Sequence, residues 1–206
     1  MKEYDVYLFD FDGTLCDSGK SLGPVFMHGF KAIGMECRPE DALEYMHYSL
    51  KETADKRGVS EEQWPIFLEA IIEALDFDES IELISFFPET LEVVKGLKRR
   101  GKRLGIVSNN TTKHISLVLK RFEMECLFEV YSGSDVVEKS KPNPEPIEYA
   151  LRKMGVKPGR NVVYIGDSDQ DVLCGNNAHV DAILVKRDGT GNEIRVINNL
   201  KELLVY

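Results

Sequence analysis

Two aspartates separated by a single residue are the strongest indication of chemistry in this sequence. Asp10 and Asp12 follow the apolar run Val6–Phe9, and Gly13 and Thr14 come directly after them. Residues two apart on an extended chain point to the same side, so both carboxylates can face one site. Paired carboxylates repel each other unless they share a cation or a proton, so the spacing indicates a metal site or an acid–base pair. An acidic turn after a strand would explain the same residues without any chemistry.

A second acidic cluster follows the apolar run at residues 162–165. Asp167 comes directly after Gly166, and Asp171 lies four residues further on. That separation is one helical turn, so both carboxylates can lie on the same side of a helix start. One such acid could simply cap the helix. A second acidic cluster at a second strand end is hard to explain as solvated surface.

Two further segments carry groups that suit an anion. Ser108, Asn109 and Asn110 follow the apolar run at 103–107, just before a helical pattern that begins near Thr111. Helix starts bind anions through free backbone amides and the helix dipole. Helix capping by Asn110 or Thr111 is the simpler explanation of this segment alone.

The other segment contains Lys141, close to three prolines at positions 142, 144 and 146. A stiff loop that presents a lysine suits binding of a phosphate, although an exposed surface lysine is the simpler alternative. Lys139 is a possible rival for the same role. Carboxylates, hydroxyl and amide donors and a lysine together fit phosphoryl transfer, which depends mainly on positioning and charge neutralisation.

The elements that must position these residues are predicted from hydrophobic periodicity. Helical patterns at 88–100, 111–122, 144–154 and 169–178 alternate with strand patterns at 103–107, 128–131, 162–165 and 182–185. Alternating strands and helices predict a parallel sheet covered by helices on both faces. Such sheets bind ligands at the carboxyl ends of their strands, where the polar segments fall. We take 182–185 as the last strand, and residues 198–206 predict a short closing helix.

Residues 18–84 show helical patterns and no convincing strand. Ser60 and Gln63 form a capping-box pattern before an amphipathic stretch that begins at Trp64. A block of this length is too long for a simple crossover between two strands, so we interpret it as an inserted, all-helical subdomain. The predicted organisation is an α/β core from residues 1–17 and 85–206, with a helical cap from 18–84.

Composition excludes several classes of partner. The 206 residues carry a formal net charge of -9, which disfavours binding to nucleic acid or to an anionic membrane surface. No apolar run approaches the roughly 18 residues of a membrane span, and the amino terminus lacks the pattern of a signal peptide.

The four cysteines are scattered and form no CxxC pair, which suits a reducing compartment. We therefore expect a cytoplasmic protein.

Taken together, the four segments resemble the motifs of the haloacid dehalogenase superfamily. Residues 10–15 match the first motif, Ser108 the second, Lys141 before Pro142 the third, and residues 166–171 the fourth. Their order and spacing agree over essentially the whole chain. The resemblance implies a Rossmann-like core with a small helical cap, in the group that is similar to phosphoglycolate phosphatase and β-phosphoglucomutase.

The resemblance also implies a role for each matching residue. Asp10 would be the nucleophile, and Asp12 would be the acid that protonates the leaving oxygen and then the base that activates water. Mg²⁺ would bind to Asp10, to the backbone carbonyl of Asp12, to Asp167 and to Asp171, the last directly or through water. Ser108 and Lys141 would hold the phosphoryl oxygens as catalytic groups. The remaining residues expected to bind phosphate, chiefly through backbone amides, are Phe11, Gly13 and Asn109.

The implied function is a magnesium-dependent phosphatase that hydrolyses a small phosphomonoester through an aspartyl-phosphate. A β-phosphoglucomutase-like mutase, a pyrophosphatase and a nucleotidase remain open, as does a binding protein that keeps the fold without catalysis. The expected partner is a small phosphorylated metabolite, and the protein would be a monomer or a homodimer. In the cap, His47, Tyr48 and Lys51 fall where related enzymes place a substrate-contacting loop, although packing within the cap would also explain them.

Overall fold

The computed structural model describes residues 2–38, 41, 50–188 and 195–205, and its chain divides into two compact units. The first unit, the sheet unit, comprises Met1–Cys16 and Phe86–Tyr206. The second unit, the helical unit, comprises Asp17–Ser85. The polar segments that carry the family resemblance all lie in the sheet unit.

The sheet unit is built on a six-stranded sheet in which every neighbouring pair of strands is parallel. The strands of the described chain are β1 (Val6–Phe9), β2 (Cys16–Asp17), β3 (Ser85–Phe86), β4 (Arg103–Val107), β5 (Val130–Ser132), β6 (Val162–Gly166), β7 (Asp181–Val185) and β8 (Val196–Ile197). The order in the large sheet is β5-β4-β1-β6-β7-β8, and β2 and β3 form a separate pair. The predicted parallel α/β fold is thus confirmed.

The strand order places a crevice between β1 and β6. The chain adds strands outward from β1 on one side and then crosses to add β6, β7 and β8 on the other. This is the Rossmann order, and reversal of the winding direction puts the connecting helices on opposite faces of the sheet. Phe9, the last residue of β1, pairs with both Ile106 and Ile165, so β1, β4 and β6 end within one residue of the same level.

Eight α-helices are described, and their bounds follow hydrophobic periodicity closely. They are α1 (Leu22–Ala32), α2 (Leu50–Arg57), α3 (Trp64–Leu75), α4 (Asp78–Glu82), α5 (Thr90–Arg99), α6 (Thr112–Arg121), α7 (Glu145–Met154) and α8 (Asp169–Asn177). In the sheet unit, Thr111 caps α6 by accepting from the amide of His114. Gly155 ends α7 in the left-handed conformation, with φ of 65°. No helix formed by the described residues is long and apolar enough to cross a bilayer.

Of two predictions about the end of the chain, the one for the last strand is wrong, and the one for a short closing helix is confirmed in its described part. The strand at 182–185 is not the last one, because β8 pairs in parallel with β7 beyond it. A strand of two residues is too short to show any periodicity. The predicted closing helix is, in its described part, the 3-10 helix Leu200–Leu204, and Asn199 begins it with a capping box.

The helical unit has a hydrophobic core of its own. Phe30 of α1, Ala54 of α2 and Phe67 of α3 are all fully buried in one cluster. Ser60 and Gln63 exchange the two hydrogen bonds of the predicted capping box, each at 3.2 Å, and α3 begins one residue later. The helices of this unit therefore pack against one another through apolar residues with helical spacing.

Candidate active site

Asp10 lies at the carboxyl end of β1 and is almost completely buried. Only 4% of the residue's surface is exposed to solvent, and its amide donates to the carbonyl of Ile165 at 2.8 Å. That bond continues the β1–β6 ladder one residue past the strand, which fixes the backbone below the carboxylate. Thr14 lies within hydrogen-bonding distance, with its hydroxyl 3.3 Å from Asp10 Oδ2. The strand and the following loop therefore hold this carboxylate at the crevice.

Lys141 brings two separate segments of the site together. Its ammonium donates to Oδ1 of Asp10 at 2.6 Å and to Oδ1 of Asp171 at 2.7 Å, and its side chain is only 6% exposed. The Lys141 amide donates to Oδ1 of Asn109 at 3.1 Å, and the Lys141–Pro142 peptide bond is cis. Burial disfavours the ammonium, but Asp10 and Asp171 outweigh that cost and raise the pKa of Lys141 above its usual value.

Asp171, in the first turn of α8, has both carboxylate oxygens engaged. Oδ1 accepts from Lys141 and lies 2.9 Å from the hydroxyl of the buried Tyr164. Oδ2 accepts from the amide of Ser168 at 3.1 Å and from its hydroxyl at 2.5 Å. Burial alone would raise the pKa of Asp171, but Lys141 and these hydrogen bonds lower it. This carboxylate is therefore held ionised and in a fixed orientation.

Asp167 completes a group of three carboxylates with Asp10 and Asp171. Each offers one oxygen, and the three atoms lie within 4.8 Å of one another. Desolvation raises the pKa of Asp10, although the neighbouring Lys141 opposes this shift, and desolvation also raises the pKa of Asp167. The charge of Asp171 raises both pKa values further. Crowded carboxylates of this kind fit a hard divalent cation such as Mg²⁺, which prefers oxygen ligands.

Two glycines make room for these carboxylates. A Cβ added at Gly13 would lie 2.1 Å from Oδ2 of Asp167, and Gly13 also has φ of 77°. A Cβ added at Gly166 would lie 2.2 Å from Cγ of Asp171. No real Cβ atom approaches other atoms so closely. The acidic side chains thus occupy the space that side chains at 13 and 166 would need.

Donors for an anion surround the same edge of the sheet. Among the described residues, no hydrogen-bond acceptor pairs with the amides of Phe11, Asp12 or Asn109. Ser108 is buried at the end of β4, and its hydroxyl accepts from the amide of Asn110 at 3.1 Å. The Gly13 amide is engaged, since it donates to the carbonyl of Cys16 at 2.8 Å.

The Asp12 side chain lies apart from the carboxylate group and bonds to Asn110 instead. Nδ2 of Asn110 donates to Oδ2 of Asp12 at 2.5 Å. Sequence reasoning treated Asn110 as a possible anion-binding group or helix cap, but Thr111 takes the cap position. An asparagine directly before a helix cap is therefore available for another role, which the sequence pattern alone could not specify.

Arg187 is a second contact that sequence reasoning missed. Its guanidinium donates to the carbonyls of Gly13 and Thr14 at 2.7 and 2.8 Å, and it pairs with Glu89 at 3.1 Å. The guanidinium carbon also lies 3.6 Å from the ring centre of Phe87. Arg187 comes 174 residues after Gly13 and belongs to none of the four motifs. Only the sheet order brings it to the loop after β1.

The three residues predicted to contact substrate belong to the helical unit. His47 and Tyr48 lie outside the described residues. Lys51 is exposed on α2, where its ammonium pairs with Asp55 at 2.7 Å and lies 5.0 Å from the ring centre of Trp64. Both of these partners of Lys51 belong to the helical unit.

The open parallel sheet, with carboxylates, a buried lysine and free amides at its crevice, defines an α/β enzyme built to handle an anionic group. The haloacid dehalogenase-like hydrolase family matches residues 7–185, and the chain belongs to this family. It is therefore a hydrolase, and the resemblance stated from the motifs is confirmed.

Similar proteins agree with this assignment. The pyrophosphatase PpaX of Bacillus cereus is 31% identical over 175 residues, which cover 83% of this chain and 78% of that protein. A proposed haloacid dehalogenase-like hydrolase of Bacteroides fragilis has a TM-score of 0.84 at 27% identity, over 98% of this chain and 100% of the other. A proposed phosphoglycolate phosphatase of Lactobacillus plantarum has a TM-score of 0.82 at 22% identity, over 98% and 99%. That last likeness shows the fold alone.

Proposed function

We propose that this hydrolase is a magnesium-dependent phosphatase that acts on a small phosphomonoester through an aspartyl-phosphate intermediate. The observation that carries the proposal is the position of Lys141, between Asp10 at 2.6 Å and Asp171 at 2.7 Å. This ammonium joins the motif after β1 to the motif that begins α8. The result is a compact group of charges at the place where open α/β sheets bind ligands.

The reaction would proceed in two displacements at phosphorus. In the first, a carboxylate oxygen of Asp10 bonds to phosphorus, the bond to the leaving oxygen breaks, and Asp12 gives that oxygen its proton. In the second, a water oxygen bonds to phosphorus, Asp12 takes the water proton, and the bond between Asp10 and phosphorus breaks. Asp10 is regenerated and inorganic phosphate is released. Covalent catalysis of this kind replaces one difficult displacement by two easier ones.

Residues around Asp10 would hold the phosphoryl group during both displacements. Among the residues that the structure describes, the donors at this edge include the side chains of Ser108 and Lys141. The amides of Phe11, Asp12 and Asn109, which pair with no described acceptor, add to them. Donors fixed before the substrate arrives stabilise developing charge without reorganising. The same donors would select a tetrahedral oxyanion over other ligands.

A magnesium ion would be held by Asp10, Asp167 and the backbone carbonyl of Asp12. Asp171 would contribute through water, since both of its oxygens already accept hydrogen bonds from protein groups. When bound, the ion would neutralise charge on the phosphoryl group and on the crowded carboxylates. Burial raises the pKa values of Asp10 and Asp167, and the neighbouring Asp171 raises them further; a bound cation would offset both effects.

Pyrophosphate is a second candidate substrate. The specific observation in its favour is the similarity to the pyrophosphatase PpaX of Bacillus cereus, at 31% identity over 83% of this chain. The two displacements are the same for either substrate, and only the leaving group differs. By the family resemblance, the helical unit would select between them through His47, Tyr48 and Lys51. None of the four cysteines, all of which lie in the described part of the chain, is in a disulfide, which suits work in the cytoplasm.

The first experiment measures phosphate release from pyrophosphate, phosphoglycolate, sugar phosphates and nucleoside monophosphates, with and without Mg²⁺. Asp10→Asn should abolish release, because the amide cannot act as the nucleophile. Asp5→Asn is the matched control, since Asp5 is exposed at the opposite end of β1. Near-normal turnover in Asp10→Asn would contradict the mechanism.

The second experiment is a magnesium titration of Asp167→Asn. Loss of one anionic ligand should raise the Mg²⁺ concentration needed for half-maximal activity by about tenfold or more, by analogy with losses seen when groups at metal sites are removed. Asp169→Asn, an exposed change two residues further along, should leave the titration unchanged. An unshifted titration in Asp167→Asn would exclude Asp167 as a ligand.

A further inference from the structure

Asn110 is fixed in place by its backbone and presents its amide to Asp12. Its N–H donates to Oγ of Ser108 at 3.1 Å, and its carbonyl accepts from the amide of Ser134 at 2.9 Å. The next residue, Thr111, is held as the cap of α6. Because the chain is tied down on both sides, the contact with Asp12 needs no rearrangement of the loop.

The contact itself is specific. Nδ2 of Asn110 donates to Oδ2 of Asp12 at 2.5 Å. Within residues 2–38, 41, 50–188 and 195–205, no other side chain bonds to this carboxylate. Asp12 is neither in the group of three carboxylates nor in contact with Lys141. The orientation of Asp12 therefore depends on a single amide donor.

We infer that Asn110 is a positioning residue that orients Asp12 for both proton transfers, and this inference rests on the proposed function. An amide N–H donates to the carboxyl oxygen that carries no proton. Because this bond occupies Oδ2, Oδ1 is the oxygen left to exchange a proton with substrate or water. That proton passes to the leaving oxygen when the bond from phosphorus to that oxygen breaks, and Asp12 takes a proton from water when the aspartyl-phosphate is hydrolysed.

The test compares leaving groups in Asn110→Leu, which keeps the size of the side chain and removes the donor. An alkyl phosphate leaves as a strongly basic alkoxide and needs the proton, whereas p-nitrophenyl phosphate leaves as a stable phenolate without it. We expect kcat/KM to fall about 10- to 100-fold for the alkyl ester, a fraction of what a general acid contributes. For p-nitrophenyl phosphate it should fall less than about threefold, because kcat/KM reports only the first displacement.

The second displacement gives an independent signature with the aryl ester. Asp12 activates water in that displacement whatever the leaving group was. In Asn110→Leu, kcat and KM for p-nitrophenyl phosphate should therefore fall together while the aspartyl-phosphate accumulates. A merely structural role would not produce this split. Asn198→Leu, at an exposed position remote from the motifs, is the matched control and should show neither effect.

The outcomes separate the inference from the proposed function. An equal loss of kcat/KM on both esters, or no loss, overturns the inference while the phosphatase stands. A wild-type enzyme that releases phosphate from no ester contradicts the proposed function. In that case crystal structures of wild type and Asn110→Leu decide the inference: a rotated Asp12 carboxylate in the variant supports it, and an unmoved one overturns it.

Discussion

Lys141 balances the charges of Asp10 and Asp171, two carboxylates with almost no access to water. Both partners and the lysine have side chains no more than 6% exposed. Ions taken out of water lose several kcal/mol each, and only close pairing returns that free energy. The lysine is thus a structural requirement of the acidic site as well as a candidate ligand for phosphate.

Replacing Lys141 by methionine tests this double role. The change leaves Asp10 and Asp171 facing each other without a counter-charge, and removal of one partner from a buried ion pair costs about 3–5 kcal/mol. We expect urea unfolding, in EDTA, to show a loss of stability of that order. Turnover should also be lost, because the phosphoryl group loses a ligand.

Lys139→Met is the control for that experiment. Lys139 lies two residues earlier on the same loop and is exposed. Its replacement should change stability by less than about 0.5 kcal/mol, as surface changes usually do. If both variants behaved alike, Lys139 would share the role that the proposed function gives to Lys141.

At the scale of elements, the loop after β1 is tied to the segment that follows β3. Arg187, just beyond β7, bonds to the carbonyls of Gly13 and Thr14 and to the carboxylate of Glu89. Glu89 is only 5% exposed, so this guanidinium is the ion-pair partner of a carboxylate with little access to water. Planar guanidinium groups suit such a junction, because their donors point in several fixed directions.

Arg187→Met should therefore destabilise the protein by about 3 kcal/mol, since it leaves the buried Glu89 carboxylate unpaired. Adding Glu89→Gln should restore part of the loss, and a double-mutant cycle should give a coupling of about 1–3 kcal/mol. Arg99→Met, an exposed change on α5, is the control. A cycle with no coupling would show that the pair contributes nothing to stability.

Secondary-structure elements differ in how well the sequence predicts them. Long periodic segments such as α7 and buried runs such as β6 were predicted within one or two residues, because their apolar spacing follows directly from local geometry. Strands β2, β3 and β8 have two residues each and show no period. The contacts of Arg187 and the bond from Asn110 to Asp12 were missed because the partners are distant in the chain, and no local pattern encodes a contact across the sheet.

At the scale of the whole molecule, acid stability depends in part on carboxylates far from the crevice. Asp181 of β7 accepts from the hydroxyl of Tyr4 at 3.0 Å and pairs with Lys2 at 3.3 Å. Partial burial opposes ionisation of Asp181, but these partners outweigh it and lower its pKa. Burial and Asp181 together raise the pKa of Tyr4 to about 12, so its hydroxyl remains a donor.

The sign of the pH effect follows from linkage. A carboxylate whose pKa is lower in the folded state stabilises the fold above its unfolded pKa of about 3.9, and that stabilisation is lost as pH falls through the folded pKa. Asp181→Asn should cost about 1 kcal/mol at neutral pH, and the difference from wild type should disappear in strong acid. Urea unfolding at a series of pH values measures this. Asp169→Asn should show no such trend, and a constant difference for Asp181→Asn would contradict the argument.

The two glycines of the crevice have a practical consequence for protein design. The carboxylates of Asp167 and Asp171 fill the volumes that side chains at 13 and 166 would occupy. A designer who transplanted only the acids and the lysine onto another parallel sheet would find no space to seat them. The smallest transferable version of this site therefore includes two residues that contribute no functional group at all. For the same reason Glu, with the right charge and one methylene too many, is a poor substitute for either aspartate.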